Sequence, residues 1–327
     1  MRLADLALLV RAPAALSVPG DVIAGAAAAG RPLGARTFGV IGSSVCLYWA
    51  GMALNDYADA AVDAVERPDR PVPSGRVPRR AALAVAGGLT AAGLGLAAVA
   101  GGRRSVCAAL PLAGLVWAYD LKLKSTAAGG FAMAGARIVD VLAGAVVPGA
   151  GAAPVGVALR RAAVPAALVG AHTGTLMALS RYEVGGAPVR VPAGTLAVSA
   201  VTAVAVTVPA ARSAAQSRMP SAGARGLVAL FPAPLKGVAV AARSEKCRAV
   251  LTATAALAYL GSYGTAQARA VREPSAGNVR RAVGAGILGL MPLQAALTAR
   301  GGAPGVAAAL GVVHPLARRL ARRISPT

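Results

Sequence analysis

Acidic residues are scarce in this chain: 12 Asp and Glu stand against 34 Lys and Arg in 327 residues, a formal net charge of +22. Aromatic residues make up 3% and charged residues 14%, while 56% of the chain is hydrophobic and the mean hydropathy is +0.62. Ordinary soluble domains are about one quarter charged, so this composition excludes that class and predicts an integral membrane protein. The three cysteines, Cys46, Cys107 and Cys247, are far apart in apolar sequence, which excludes a disulfide or zinc framework and makes them small packing residues. No glycine-rich phosphate loop after a strand, no Ser/His/Asp constellation and no redox motif is present. The basic tail 318–327 adjoins an apolar segment and lacks interleaved aromatics, which points to anionic lipid and away from nucleic acid. No cleavable signal peptide is evident, because the first apolar run passes Arg11 and Pro13 into a longer segment that is expected to stay in place.

What the chain has in abundance is Ala, Gly and Val, small residues through which membrane helices approach closely. Apolar segments of roughly spanning length lie near 13–30, 37–55, 81–101, 105–119, 130–150, 162–180, 193–211, 247–267, 282–299 and 303–317. They predict an all-α fold: one polytopic membrane bundle of nine or ten helices over residues 1–327. The basic, Ser-, Pro- and Arg-rich stretch 212–248 reads as an extramembrane connection. With a cytoplasmic N-terminus and ten spans, the short loops on that side hold 19 Lys and Arg against 7 opposite, which orients the chain. Even-numbered helix exits then converge on the cytoplasmic face.

Five of the twelve acids, Asp56, Asp59, Asp63, Glu66 and Asp69, fall within fifteen positions that begin Asn55-Asp56-Tyr57-Ala58-Asp59-Ala60-Ala61-Val62-Asp63, directly after an apolar run. Asp56, Asp59 and Asp63 stand at i, i+3 and i+7, and Asn55 and Asp59 at i, i+4, so a helix projects all four from one face. Like charges repel there, and a helix C-terminus disfavours anions, so a bound cation is the expected counter-charge. Oxygen-only ligands suit Mg²⁺, which fills its remaining positions with water and substrate phosphates. The bland reading is a solvated acidic loop balancing Arg67, Arg70, Arg76, Arg79 and Arg80.

Asn55-Asp56-x-x-Asp59-x-x-x-Asp63, followed by Arg67-Pro68-x-Arg70-Pro71 and Gly75, together with Tyr119…Lys122-x-Lys124, resembles the UbiA superfamily of intramembrane prenyltransferases. The resemblance implies that Asp56, Asp59 and Asp63 bind Mg²⁺. It also implies that Asn55, Arg67, Lys122 and Lys124 hold an isoprenyl diphosphate, with Asp59, Asp63, Tyr119 and Lys124 serving the ionisation to an allylic cation. A small acceptor of unknown identity would capture that cation inside the bilayer. The family's second acidic motif is absent: its place reads Leu179-Ser180-Arg181-Tyr182-Glu183, so Glu183 is the single acid left for metal and Arg181 is a candidate fixed cation for the diphosphate. That form is similar to the divergent EboC-like or SCO-type branch found in secondary-metabolite operons. The Ala-, Gly- and Arg-rich usage fits a bacterial source and a plasma-membrane location with cytoplasmic active-site loops. The alternative is a non-catalytic prenyl-lipid binding or transport protein that retains the fold. A channel or ion-coupled transporter is disfavoured, since no ladder of ionisable groups crosses the membrane.

Asp21, and Arg137 with Asp140, are ionisable groups at membrane depth. Arg137 and Asp140, at i, i+3, are expected either to neutralise each other or to serve the acceptor site, and Asp21, without a local partner, to line the pocket. His172 is either a general base or a helix-packing histidine, and the absence of a neighbouring carboxylate in sequence favours packing.

Overall fold

A computed structural model describes residues 2–216, 235–312 and 314, and among these there is no strand. The basic tail 318–327 and the middle of the expected 212–248 connection lie outside the described residues. The short helix α1 (Leu3–Leu9) and a tight 3₁₀ stretch (Ala12–Ser17) lead into α2 (Pro19–Ala28). Then come α3 (Ala35–Ala58), the short α4 (Ala60–Glu66) and the long α5 (Arg79–Ala118). The second half comprises α6 (Gly129–Ala145), α7 (Val155–Ser180), α8 (Arg190–Gln216), α9 (Leu235–Tyr259), α10 (Thr265–Arg272) and α11 (Ala276–Arg300), with a last described helical stretch at 304–312.

Among the described residues, five stretches are long and apolar enough to cross a membrane: Ala35–Ala58, Arg79–Leu123, Val155–Ser180, Arg190–Val208 and Ala276–Arg300. The second of these folds back on itself. Gly101 and Gly102 leave helical geometry, and Gly102 has φ +59°, a left-handed conformation that costs glycine nothing. Trp117 Nε1 donates to Thr90 Oγ1 at 3.0 Å. A straight helix would hold those residues roughly 40 Å apart, so α5 is an antiparallel hairpin whose limbs match the expected segments 81–101 and 105–119. Toward the C-terminal half the expectation was less accurate. Helix α8 runs to Gln216 and α9 begins at Leu235, ahead of the expected 247, because the Ala, Arg and Lys of that stretch are good helix formers despite their charge.

Small residues set the closest approach. A Cβ on Gly25 of α2 would overlap the Val141 carbonyl of α6, and one on Gly144 of α6 would overlap the Val22 carbonyl of α2. The two backbones therefore pack in contact, which brings Asp21 against Arg137. The main core joins α6 to α11 around Tyr259, Tyr263, Val169, Leu293 and Leu297. His172 sits inside it, fully buried, with Nδ1 3.1 Å from Tyr259 Oη and Nε2 3.1 Å from the Gly286 carbonyl, which is the expected packing role. A second core of Leu9, Ala53, Leu54, Val72, Val77, Ala82 and Ala86 underlies the acidic loop. Of the three free cysteines, Cys107 and Cys247 are exposed on helix surfaces, so only Cys46 is partly packed. The hydrophobic pattern cannot separate a lipid-facing position from an interhelical one, since both are apolar.

Candidate active site

The acidic motif starts on the last turn of α3. That helix breaks at Asp59 (φ −90°, ψ 6°) and resumes as α4 at Ala60, with Asp59 N donating to Asn55 O at 2.9 Å and Asp63 N to Asp59 O at 2.8 Å across the break. The expected single face is thereby divided into two adjacent rows. In one row, Asp56 and Asp63 share the Arg70 guanidinium, whose Nη1 lies 2.5 Å from Asp63 Oδ2 and 3.6 Å from Asp56 Oδ1. The chain delivers Arg70 by a turn after α4, with Arg70 N donating to Arg67 O at 3.1 Å. In the other row, Asn55 Nδ2 donates to Asp59 Oδ2 at 3.1 Å and to Asp120 Oδ1 at 3.3 Å, while Lys124 Nζ pairs with Asp59 Oδ1 at 2.5 Å.

Arg11 joins the two rows, with Nη2 3.0 Å from Asp56 Oδ1 and 3.3 Å from Asn55 Oδ1. It is the one non-glycine residue with positive φ (45°) among the described residues. Such a backbone costs about 1–2 kcal/mol, so the carboxylate contact holds the residue against its own preference. Burial lowers the Arg11 guanidinium below its ordinary value, the neighbouring Arg70 lowers it further, and Asp56 opposes both.

The loop carrying Asp120 and Lys124 reaches the motif because α5 ends in one wide π-helical turn, Tyr119–Leu123, closed by Lys124 N donating to Tyr119 O at 2.9 Å. Asp120 is buried and Tyr119 half-buried, and both face the same cavity. That cavity, about 670 Å³, opens at Arg11, Asn55, Arg67 and Glu183 and continues inward between apolar walls such as Met133, Leu176 and Ile287. Glu183 follows α7 in a turn; burial raises its carboxyl above the usual range, and Arg280 and Arg67 pull it back. Of the residues singled out from sequence, Asn55, Arg67, Tyr119 and Glu183 line the cavity, and Asp56, Asp59, Asp63 and Lys124 belong to the network at its mouth. Lys122 is exposed on the loop, outside the cavity lining. Arg181 turns away from the cavity, its Nη2 donating to Thr126 O at 3.4 Å and Ala127 O at 3.2 Å, so it fastens the segment that follows Lys124.

Sequence reasoning missed Arg11, Arg70 and Asp120 as members of this network. Arg70 sits within the Arg-Pro-x-Arg-Pro motif and Asp120 beside Tyr119, so both had a positional signal; Arg11 had only its place at a membrane edge. Among the described residues no three His, Cys, Asp or Glu side chains converge on one point. The donor chemistry nevertheless fits a hard cation, because the side chain that bridges Asp56 and Asp63 is itself a cation, Arg70.

At the inner end of the cavity, Arg137 departs from expectation. Its Nη1 pairs with Asp21 Oδ2 of α2 at 2.7 Å, and Nη2 donates to Ser17 Oγ at 3.0 Å; Asp140 instead accepts from Ser44 Oγ. The reason is the glycine contact between α2 and α6, which makes the neighbouring helix nearer to the guanidinium than the next turn of its own. Asp21 is thus tied up in an ion pair, with Gln294 Nε2 donating to Oδ1 at 2.7 Å, and does not line the cavity.

The profile of the UbiA prenyltransferase family matches residues 18–250. A digeranylgeranylglyceryl phosphate synthase of Methanopyrus kandleri is 45% identical over 109 residues, 33% of this chain and 38% of that protein. One of Ignicoccus hospitalis is 39% identical over 118 residues, 36% and 38% of the two chains. The matched region thus spans under two fifths of these curated relatives. The fold is shared with the apo structure of a UbiA homologue from Aeropyrum pernix K1 (TM-score 0.59, 16% identity, 92% and 97% of the two chains covered). It is also shared with a UbiA homologue from Archaeoglobus fulgidus bound to GPP and Mg²⁺ (TM-score 0.53, 14% identity, 86% and 99% covered).

Proposed function

Because the chain belongs to the UbiA prenyltransferase family, we propose that it transfers an isoprenyl group from an isoprenyl diphosphate to a small acceptor within the membrane, with Mg²⁺ as cofactor and the site on the cytoplasmic face. The observation that carries this reading is the network of four acids at the mouth of a single cavity whose walls are largely apolar. Asp56, Asp59 and Asp63 would hold Mg²⁺, which when bound supplies positive charge to the diphosphate. Arg67 and Lys124 neutralise the leaving group, and Asn55 orients Asp59. The donor C–O bond breaks with its electron pair leaving on the diphosphate, and the allylic cation remains among apolar side chains that exclude water, with Tyr119 at the cavity edge. The acceptor's electron pair forms the new bond and the acceptor releases a proton. Arg181 contributes by fixing the loop behind Lys124, and Glu183 supplies the one carboxylate on the side where the family has its second acidic motif.

A non-catalytic prenyl-lipid binder is the second reading, favoured by the lone Glu183 in that place. One experiment separates the two. Purified protein is incubated with radiolabelled geranyl, farnesyl and geranylgeranyl diphosphates, with and without Mg²⁺, alongside a panel of acceptors. The panel includes a glyceryl phosphate, since the relatives are named digeranylgeranylglyceryl phosphate synthases, and a cell extract. Mg²⁺-dependent pyrophosphate release with an acceptor supports the transferase. Binding without release at every chain length supports the binder.

A further inference from the structure

A second cavity, about 490 Å³ and wholly apolar, lies between α1, α3 and α5, lined by Leu6, Val10, Val85, Gly88 and Leu89. It shares one wall with the first cavity, and that wall is Trp49 of α3, which lines both. Trp49 lies six residues before Asn55 on the same helix, about 9 Å deeper than the acidic mouth. That is on the path of a hydrocarbon tail whose head group is held at the mouth. The indole Nε1 is buried without a hydrogen-bond partner. Since buried polar groups are normally paired, the side chain is kept at this position by its bulk and not by a polar tie.

We infer that Trp49 is the chain-length stop of the donor site, and that the apolar groove behind it accepts the distal isoprene units of a longer isoprenyl diphosphate once the indole is removed. This rests on the proposed donor site. The occupant follows from the walls: the groove adjoins the first cavity at Trp49, its lining is apolar, and it holds no charge that a head group would need.

The structure supplies an internal control. Gly88 lines the groove, and a Cβ there meets nothing within 4 Å, so a larger side chain has room to begin there. In Mg²⁺, binding of geranyl, farnesyl and geranylgeranyl diphosphates is measured by displacement of labelled farnesyl diphosphate from detergent-solubilised protein. Trp49→Ala is expected to shift the geranylgeranyl-to-geranyl affinity ratio tenfold or more toward the longer chain, and Trp49→Leu to shift it less in the same direction. Gly88→Leu alone should leave the ratio unchanged, and in the Trp49→Ala background it should cancel the gain. An unchanged ratio in both Trp49 variants, each with a wild-type unfolding midpoint, overturns the stop. So does a shift caused by Gly88→Leu alone, which would mean that the tail already occupies the groove. Failure of wild type to bind any of the three diphosphates overturns the donor site itself, and the stop with it.

Discussion

Replacing Arg137 by Met tests whether the inner end of the cavity is held by charge. The methionine keeps most of the aliphatic stem, so packing is largely retained while the guanidinium is lost. Asp21 is fully buried, and the Arg137 side chain is 14% exposed. The single variant leaves the Asp21 carboxylate with Gln294 as its remaining polar partner and takes from Ser17 Oγ the bond from Arg137 Nη2. Breaking a buried pair from one side costs about 3–5 kcal/mol, because the surviving charge stays desolvated. Asp21→Asn has the same sign, tempered because Arg137 keeps Ser17 and the Tyr48 ring, whose centroid is 5.0 Å from its Cζ. The double variant Asp21→Asn/Arg137→Met removes both charges of the pair and should be more stable than either single one. A double-mutant cycle on unfolding free energies in detergent, from denaturant titration followed by tryptophan fluorescence, should give a coupling of at least 2 kcal/mol, the upper part of the usual range for residues in contact. Additive losses, or an Arg137→Met protein as stable as wild type, would refute the claim that this pair locks α2 to α6.

At the mouth, Asp59→Asn and Asp63→Asn should each weaken Mg²⁺-dependent binding of isoprenyl diphosphate, whereas Asp69→Asn, outside both rows of the motif, should have little effect; equilibrium binding with and without Mg²⁺ checks this. Arg70→Gln removes the cation between Asp56 and Asp63 and should tighten Mn²⁺ binding in the absence of diphosphate by about tenfold, roughly 1.4 kcal/mol, read by titrating free Mn²⁺; unchanged affinity would mean that the two carboxylates do not form the metal site. Gly144→Val forces a side chain into the Val22 carbonyl and should cost about 1–3 kcal/mol, measured by the same denaturant titration. A cysteine placed at Ser74 or Ser125, after removal of the native cysteines, should react with a membrane-impermeant thiol reagent only once the cytoplasmic face is opened; labelling of intact cells would reverse the assigned orientation.

The membrane class, the helical character and the position of the acidic motif were legible in the amino-acid order because each depends on local quantities. Hydropathy over a span-length window, and carboxylates spaced at i, i+3, i+4 and i+7, are read from the order alone, although the helix breaks at Asp59 and parts the motif into two rows. The partners of the charges were not legible. Arg137 and Asp140 satisfy the spacing rule for an ion pair, yet the guanidinium goes to Asp21, 116 positions away, because Gly25 and Gly144 bring two backbones into contact. Arg11 meets Asp56, and Asp120 meets Asn55, across 45 and 65 positions. Contacts of that kind are fixed by helix packing, and a sequence of small apolar residues encodes how closely helices can approach without encoding which helices do so.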